Sequence, residues 1–411
     1  MNSARFHKPA LCLALVAALT LAAGPADADI SKGTFDFAGS VATELRIFPG
    51  ERSYEGQDRS TLSPSIAATP EFVYEWDGGS NRLTFIPFAR IDVHDENRSH
   101  WDIREAHWLH AADNWDLTAG LGKVFWGVTE SRHLVDIINQ TDAVENIDGE
   151  DKLGQPMVQF NWHTDNGSLG LFVLPGFRER TFADDEARLR GSKPVRGADA
   201  TYDSSADAKH IDLAARWSHT IDNLDFAISH FHGTSREPTV VEAVRDGKDV
   251  FIPHYDQIDQ TGLELQLTTG AWLWKMEAMT RSGHGNRFAA TAAGLEYTLY
   301  QIADSAADLG LLAEYLYDGR GASAPAVASN NDVFVGARLV LNDTADTEIL
   351  AGAIIDRLAQ EIVISIEAAH RLSDHWKAEV EVRWSANVPD SGFFAGAKND
   401  DFVLLRAERF F

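Results

Sequence analysis

Polar and apolar residues alternate along almost the whole of this chain, in runs of about ten. In the first run Phe35, Phe37, Val41, Leu45 and Ile47 fall on one side, against Asp36, Glu44 and Arg46 on the other. Further on, Trp272, Trp274, Met276 and Ala278 oppose Lys275, Glu277 and Arg281. Near the end Trp376, Ala378, Val380, Val382 and Trp384 oppose Lys377, Glu379, Glu381 and Arg383. Successive side chains of a strand point to opposite faces, so a period of two predicts strands with one wet and one apolar side. Runs of about ten residues suit a tilted strand crossing a bilayer. Strands of soluble proteins are shorter, about five or six residues.

Eighteen such segments are predicted, near 34–48, 65–77, 82–93, 100–111, 115–127, 156–164, 168–174, 209–219, 224–232, 255–268, 272–281, 290–302, 309–318, 332–342, 347–356, 361–371, 376–385 and 401–411. Their connections fall into two kinds. After even-numbered segments they are short and turn-like, as at Asp77-Gly78-Gly79-Ser80-Asn81, Asp165-Asn166-Gly167 and Thr269-Gly270-Ala271. After odd-numbered ones several are long: 49–64, 128–155, 175–208, 233–254, 319–331 and 386–400. Short turns on one side and long loops on the other predict an all-β fold, a transmembrane antiparallel up-and-down β-barrel of about 18 strands. Aromatics at segment ends, among them Trp76, Trp101, Trp115, Trp162, Trp217, Trp272, Tyr317, Trp376 and Trp384, fit interfacial girdles.

A barrel of this size encloses an aqueous interior. The polar face is charged throughout, and Glu44, Arg46, Arg90, Asp92, Arg216, Glu264, Glu277, Arg281, Glu296, Glu314, Arg338, Lys377, Glu379 and Arg383 are expected to line the lumen. One Arg or Lys at the lipid midplane costs about 2–4 kcal/mol, so this face must look inward. Such groups can also be read as ion pairs that stiffen the wall without selecting a solute. Acids outnumber bases, which favours cations. Two segments carry conflicts. Asp102 and Arg104 claim one face of the fourth while Glu105 and His107 claim the other, which a bulge would resolve, and Lys123 sits awkwardly in the fifth.

Composition narrows the function. The formal net charge of −26 disfavours nucleic acid, which needs a basic footprint. Residues 1–28 read as a secretory signal peptide: basic Arg5 and Lys8, an apolar run from Ala10 to Ala23, and Ala26-Asp27-Ala28 as a small-x-small cleavage site. Residues 29–411 then form one barrel domain. The single cysteine, Cys12, lies inside that signal, so the mature chain is expected to hold no disulfide or thiolate site. Neither a Gly-x-Ser-x-Gly elbow nor a His-Glu-x-x-His site is present, so no enzyme is expected. No cofactor and no metal are expected either. His230 and His232 share a strand face and are read as a pair at the interface or loop side, and Asp148-Gly149-Glu150-Asp151 lacks the ligand spacing of a calcium loop.

Two loops carry candidate chemistry. In 128–155, Leu134, Val135, Ile137 and Ile138 have short helical spacing, and Arg132, His133, Asp136, Asp142 and Glu145 are candidates for a constriction if the loop folds inward; the other reading is an external lid. In 175–208, Arg178, Arg180, Arg188 and Arg190 invite an anion-binding reading, because the guanidinium fork binds carboxylate or phosphate in two-point fashion. Contact with lipopolysaccharide phosphates, or pairing with Glu179, Asp184, Asp185 and Glu186, is the alternative.

The last segment closes on Phe410-Phe411, with Val403, Leu405, Ala407 and Phe411 on one face. A secreted chain with such a terminal strand resembles the outer-membrane β-barrels, whose assembly machinery reads a C-terminal aromatic. The stretch Asp102 to Ser131, with Arg104-Glu105-Ala106 and Gly122-Lys123-Val124-Phe125-Trp126-Gly127, resembles large proteobacterial porin-like families, including the eighteen-stranded alginate-export type. These resemblances imply the cell outer membrane. They also imply contact with its lipid and lipopolysaccharide, the barrel-assembly machinery as a partner in biogenesis, and passive passage of a small hydrophilic solute. An export channel for an anionic polysaccharide and a non-conducting surface-binding barrel are the alternatives. The pattern sets no oligomeric state.

Overall fold

The computed structural model describes residues 33–328, 330–389 and 397–411. The expected signal, 1–28, lies outside them. The strands in chain order begin with β1 (Gly33–Ile47), β2 (Leu62–Trp76), β3 (Asn81–Asp92), β4 (Trp101–Ala111), β5 (Trp115–Gly122), β6 (Gln155–Thr164) and β7 (Gly167–Pro175). Next come β8 (Thr201–Tyr202), β9 (Ile211–Ile221), β10 (Leu224–Thr234), β11 (Thr239–Arg245), β12 (Lys248–Tyr255), β13 (Gln257–Thr269) and β14 (Trp272–Gly283). The last are β15 (Gly285–Leu299), β16 (Asp308–Asp318), β17 (Asn331–Val340), β18 (Glu348–Asp356), β19 (Ile362–Ser373), β20 (Trp376–Ala386) and β21 (Phe402–Phe410).

All but β8, β11 and β12 join one 18-stranded sheet. Each strand pairs antiparallel with the next, and β21 returns to β1 through Ser40↔Phe410 to Ile47↔Val403. The sheet is therefore a closed barrel. Closure matters because an open edge would leave unpaired N–H and C=O groups that hydrocarbon cannot satisfy. No helix among the described residues is long and apolar enough to cross a membrane, and the crossing is made by strands.

The outer face is apolar. Leu83, Phe85, Val158, Leu171, Leu213, Ile228, Leu311, Val335, Val380 and Leu405 all present exposed side chains around it. A continuous apolar belt of this extent is a lipid surface, since water-facing patches rarely exceed a few hundred Å². Trp162, Trp272 and Trp376 ring the short-turn end, while Trp101, Tyr317 and Trp384 ring the loop end. The molecule is a large transmembrane barrel of the outer-membrane type.

Two local features depart from simple alternation. Ile86 pairs with Glu105 but Pro87 pairs with Ile103, so Arg104 is the extra residue of a bulge in β4. Pro87 has no N–H to offer the ladder at that point. The bulge lets Arg104 face inward, which settles the conflict in that segment. The fifth strand, expected to run to residue 127, ends at Gly122. There the Asn139 side chain donates to the Gly122 carbonyl at 2.9 Å and accepts the Val124 N–H at 2.8 Å, replacing the ladder. Lys123 consequently belongs to the loop. Above the loop-side rim β11 and β12 form a hairpin, to which β8 adds in parallel through His254↔Thr201 and Tyr255↔Tyr202.

Candidate functional site

The segment between β5 and β6 lies inside the barrel. It has no helical turn at Leu134–Ile138, contrary to the spacing expectation; those residues instead spread along an irregular path against the inner wall. Trp126, Val135, Ile137 and Ile138 pack on Phe172 and Leu174 of β7, Ala214 of β9, Phe231 of β10 and Ile258 of β13. Gly262 of β13 makes room for this, because a Cβ there would stand 2.9 Å from Val135 Cγ1. The apolar residues thus seat the loop.

Two wall carboxylates hold it further along. Glu277 accepts the N–H groups of Val128 (2.7 Å), Thr129 (3.0 Å), Leu134 (2.6 Å) and Val135 (3.2 Å). Glu314 accepts those of Glu130 (2.8 Å) and Ser131 (2.9 Å). Irregular backbone inside a barrel needs such acceptors, since the loop carries no ladder of its own. Arg132 pairs with Asp318 at 3.0 Å, and Glu130 pairs with Arg338 at 2.6 Å. His133 stands 3.4 Å from Glu150 and 3.8 Å from Glu277, while Asp136 holds Lys152 at 3.1 Å.

On the β1–β4 side the wall and the loop share a charged network. Arg90 bridges Glu44 (2.6 Å) and Glu145 (2.7 Å), and Arg98 bridges Glu44 and Asp92, each at 2.7 Å. Arg46 donates to the Glu145 carbonyl at 2.6 Å, and Arg104 pairs with Asp142. Arg98 is 2 % exposed and Arg90 4 %, so these are desolvated pairs whose members depend on one another. Arg98 comes from the short β3–β4 turn, where nothing in the sequence marks it as central.

The remaining wall residues also face inward and are paired. Arg216 bonds Glu264, Arg281 bonds Glu237 at 2.8 Å, and Glu296 lies 4.0 Å from Lys275. Lys377 bonds Glu379 at 2.6 Å, and Arg383 joins Glu381, Glu367 and Asp148. Two water-accessible cavities flank the loop. One of about 440 Å³ lies between the loop's Glu130, Glu145, Asp148 and Asp151 and the wall's Arg338, Glu367, Glu381 and Arg406. The other, about 410 Å³, is nearer the short-turn end and is lined by Arg216, Asp225 and Glu264.

The arginines of the β7–β9 connection do not gather into one anion site. Arg178 pairs with Asp102 at 2.8 Å and Arg188 with Asp400 at 3.1 Å. Arg190 donates to the carbonyls of Glu55 and Gly191, each at 3.0 Å. Arg180 lies apart beside Glu237 and Tyr255, and burial pushes its pKa down. A cluster close in sequence is dispersed because the long loop threads past several acids.

No protein-family model matches the chain, and no curated protein does. Solved structures similar to it include a loop-deletion mutant of OmpT, an outer membrane protein of Vibrio cholerae. That chain is 12% identical, with a TM-score of 0.46 over 93% of this chain and 100% of that one. A mutant of the Rh. blastica porin is 11% identical with a TM-score of 0.43, covering 92% and 100%. OprB of Pseudomonas putida is 10% identical with a TM-score of 0.43, covering 92% and 94%. The closed barrel itself is established by the strand pairing from β1 round to β21.

Proposed function

We propose that this chain is a porin-like outer-membrane channel for passive diffusion of small hydrophilic solutes, narrowed by the 123–154 loop and favouring cations. The observation that carries the reading is the acid-rich cavity of about 440 Å³ left between that loop and the wall. It is lined by the loop's Glu130, Glu145, Asp148 and Asp151 and by the wall's Arg338, Arg406, Glu367, Glu379 and Glu381. A narrow passage with fixed charges of both signs and an excess of acids sorts ions by charge and size without a cofactor or an energy source.

The test is planar-bilayer recording of the purified protein. Stepwise conductance and a reversal potential favouring potassium over chloride are expected. Absence of current in a folded, detergent-stable barrel would instead favour a lumen sealed by its loops. Conductance with a preference for chloride would keep the channel and discard the assignment of selectivity to these acids.

A further inference from the structure

We propose that Asp203, His254, Asp256 and His284 form a binding site for a divalent transition-metal ion of the zinc type at the loop-side rim of the barrel. Asp203 follows β8, His254 lies on β12, Asp256 joins β12 to β13, and His284 is the single residue between β14 and β15. Three ligand atoms, one each from Asp203, His254 and Asp256, all lie within 4.8 Å of one another.

The spacings of Asp203, His254 and Asp256 suit a shared ion, and His284 stands behind Asp256 as a fourth ligand that would close in on binding. His254 Nε2 is 3.2 Å from Asp203 Oδ1 and 3.7 Å from Asp256 Oδ1, and His284 Nε2 is 3.6 Å from Asp256 Oδ2. Ligands at roughly 2.0–2.2 Å from a tetrahedral zinc stand about 3.3–3.6 Å apart. Two imidazoles and two carboxylates are a ligand set for zinc or its neighbours and bring a divalent ion to neutrality.

The independent observation is His284. Its ring is 2 % exposed, and neither ring nitrogen has a hydrogen-bond partner. A buried imidazole normally satisfies at least one nitrogen, so an orphaned pair next to a carboxylate calls for a ligand. The turn aims it there. Gly283 (φ 111°) and Gly285 (φ 79°) flank it in the left-handed region, and the main chain is fixed where Ser323 Oγ donates to the His284 carbonyl at 3.3 Å.

The other ligands are already oriented by outer partners. Thr201 Oγ1 and His254 Nδ1 are 2.8 Å apart, which leaves Nε2 free to ligate. Thr239 donates to Asp256 at 3.0 Å, and the Gln257 N–H donates to Asp203 Oδ2 at 3.3 Å. Such outer partners set the tautomer and direction of metal ligands. Asp203 and His254 remain open to solvent, giving an entry path, while His284 seals the inner side. A bound ion would pin the β8–β11–β12 collar to the β14–β15 hairpin.

The test uses the full mature chain in detergent micelles, dialysed against zinc chloride and then against zinc-free buffer. One zinc per chain is expected to remain, with cobalt giving the intense visible absorption of a tetrahedral site. H254Q and H284Q are each expected to weaken zinc at least about tenfold. Because H284Q alters a buried position, D203N serves as the exposed counterpart and is expected to do the same. A chain with H230Q and H232Q, an exposed pair elsewhere, is expected to bind like the parent. Zinc retention unaffected by H254Q and D203N, or no retained zinc in the parent chain, would overturn the site.

Discussion

The Glu277 carboxylate on the inner face of β14 accepts the Leu134 N–H at 2.6 Å, from a loop that leaves the wall at β5. The same carboxylate holds Val128, Thr129 and Val135, so one side chain organises the whole turn of the loop. Hydrogen bonds to a charged group contribute roughly 1.5–3 kcal/mol each, and sharing one carboxylate makes the sum less than additive. E277A should therefore cost about 3 kcal/mol and leave the loop loosely seated. Noisier and larger single-channel steps are expected, with E277Q intermediate. Steps and thermal stability identical to the parent would show that Glu277 does not anchor the loop.

Removing the loop tests its role more directly. Deletion of 130–152 takes away Glu130, Glu145, Asp148 and Asp151 from the passage. Conductance should rise severalfold and cation preference should fall, because the barrel of eighteen strands is wide without its infolded segment. Unchanged steps would place the narrowest point elsewhere.

The barrel was legible because alternation survives through most of the membrane-crossing strands, and the bulge was foreseeable from the opposed demands of Arg104 and Glu105. The loop's engagement with the wall was not. Glu277 and Glu314 read as ordinary members of an ionic wall, yet both bind backbone N–H groups of the loop. Nothing local to a strand records which distant loop will meet it. The β11–β12 hairpin did leave a sign, since Asp246 and Gly247 both take positive φ (52° and 76°) between alternating residues. Asp-Gly in that setting favours a type I′ turn. The four arginines misled for the converse reason: closeness in sequence says little where the chain is irregular, and Arg178 and Arg188 went to acids more than seventy residues away.

Acid should weaken cation preference. Burial, with Glu145 and Asp148 nearby, pushes the Asp151 carboxyl up to about 6 although its side chain meets lumen water. Burial pulls His133 down, but the neighbouring carboxylates of Glu277 and Glu150 outweigh that and raise it. A carboxyl with a raised pKa is charged above it and neutral below, and a raised histidine gains its charge at correspondingly higher pH. As the pH falls from the alkaline side through about 6, both changes make the lumen beside the loop less negative. The reversal potential in a salt gradient should shift toward zero over that range, and D151N should flatten the shift. An unvarying potential would mean that neither group borders the ion path.

Arg90 tests the paired wall. It joins Glu44 of β1 to Glu145 of the loop, all three nearly sealed from water. Removing one member of a buried pair strands the charge of the other, at a cost of about 3–5 kcal/mol. R90A should lower the unfolding temperature in detergent clearly more than R82A, whose partner Glu75 sits on an exposed part of the wall. Equal effects would mean that water already screens the Arg90 site.

Depth in the membrane gives the last test. Leu405 points outward between Leu45 of β1 and Val380 of β20, in the middle of the apolar belt. Arg409 lies on the same face, two turns of the alternation nearer the short-turn end, where it pairs with Trp376. There its guanidinium can reach the polar interface while its stem stays among apolar neighbours. The same side chain placed at 405 has no such exit. L405R should destabilise folding into lipid vesicles by about 2–4 kcal/mol, measured by denaturant titration of tryptophan fluorescence. R409L should change it by less than about 1 kcal/mol, as expected near the interface. If L405R folds as well as the parent, hydrocarbon does not surround this face, and the channel reading loses its ground.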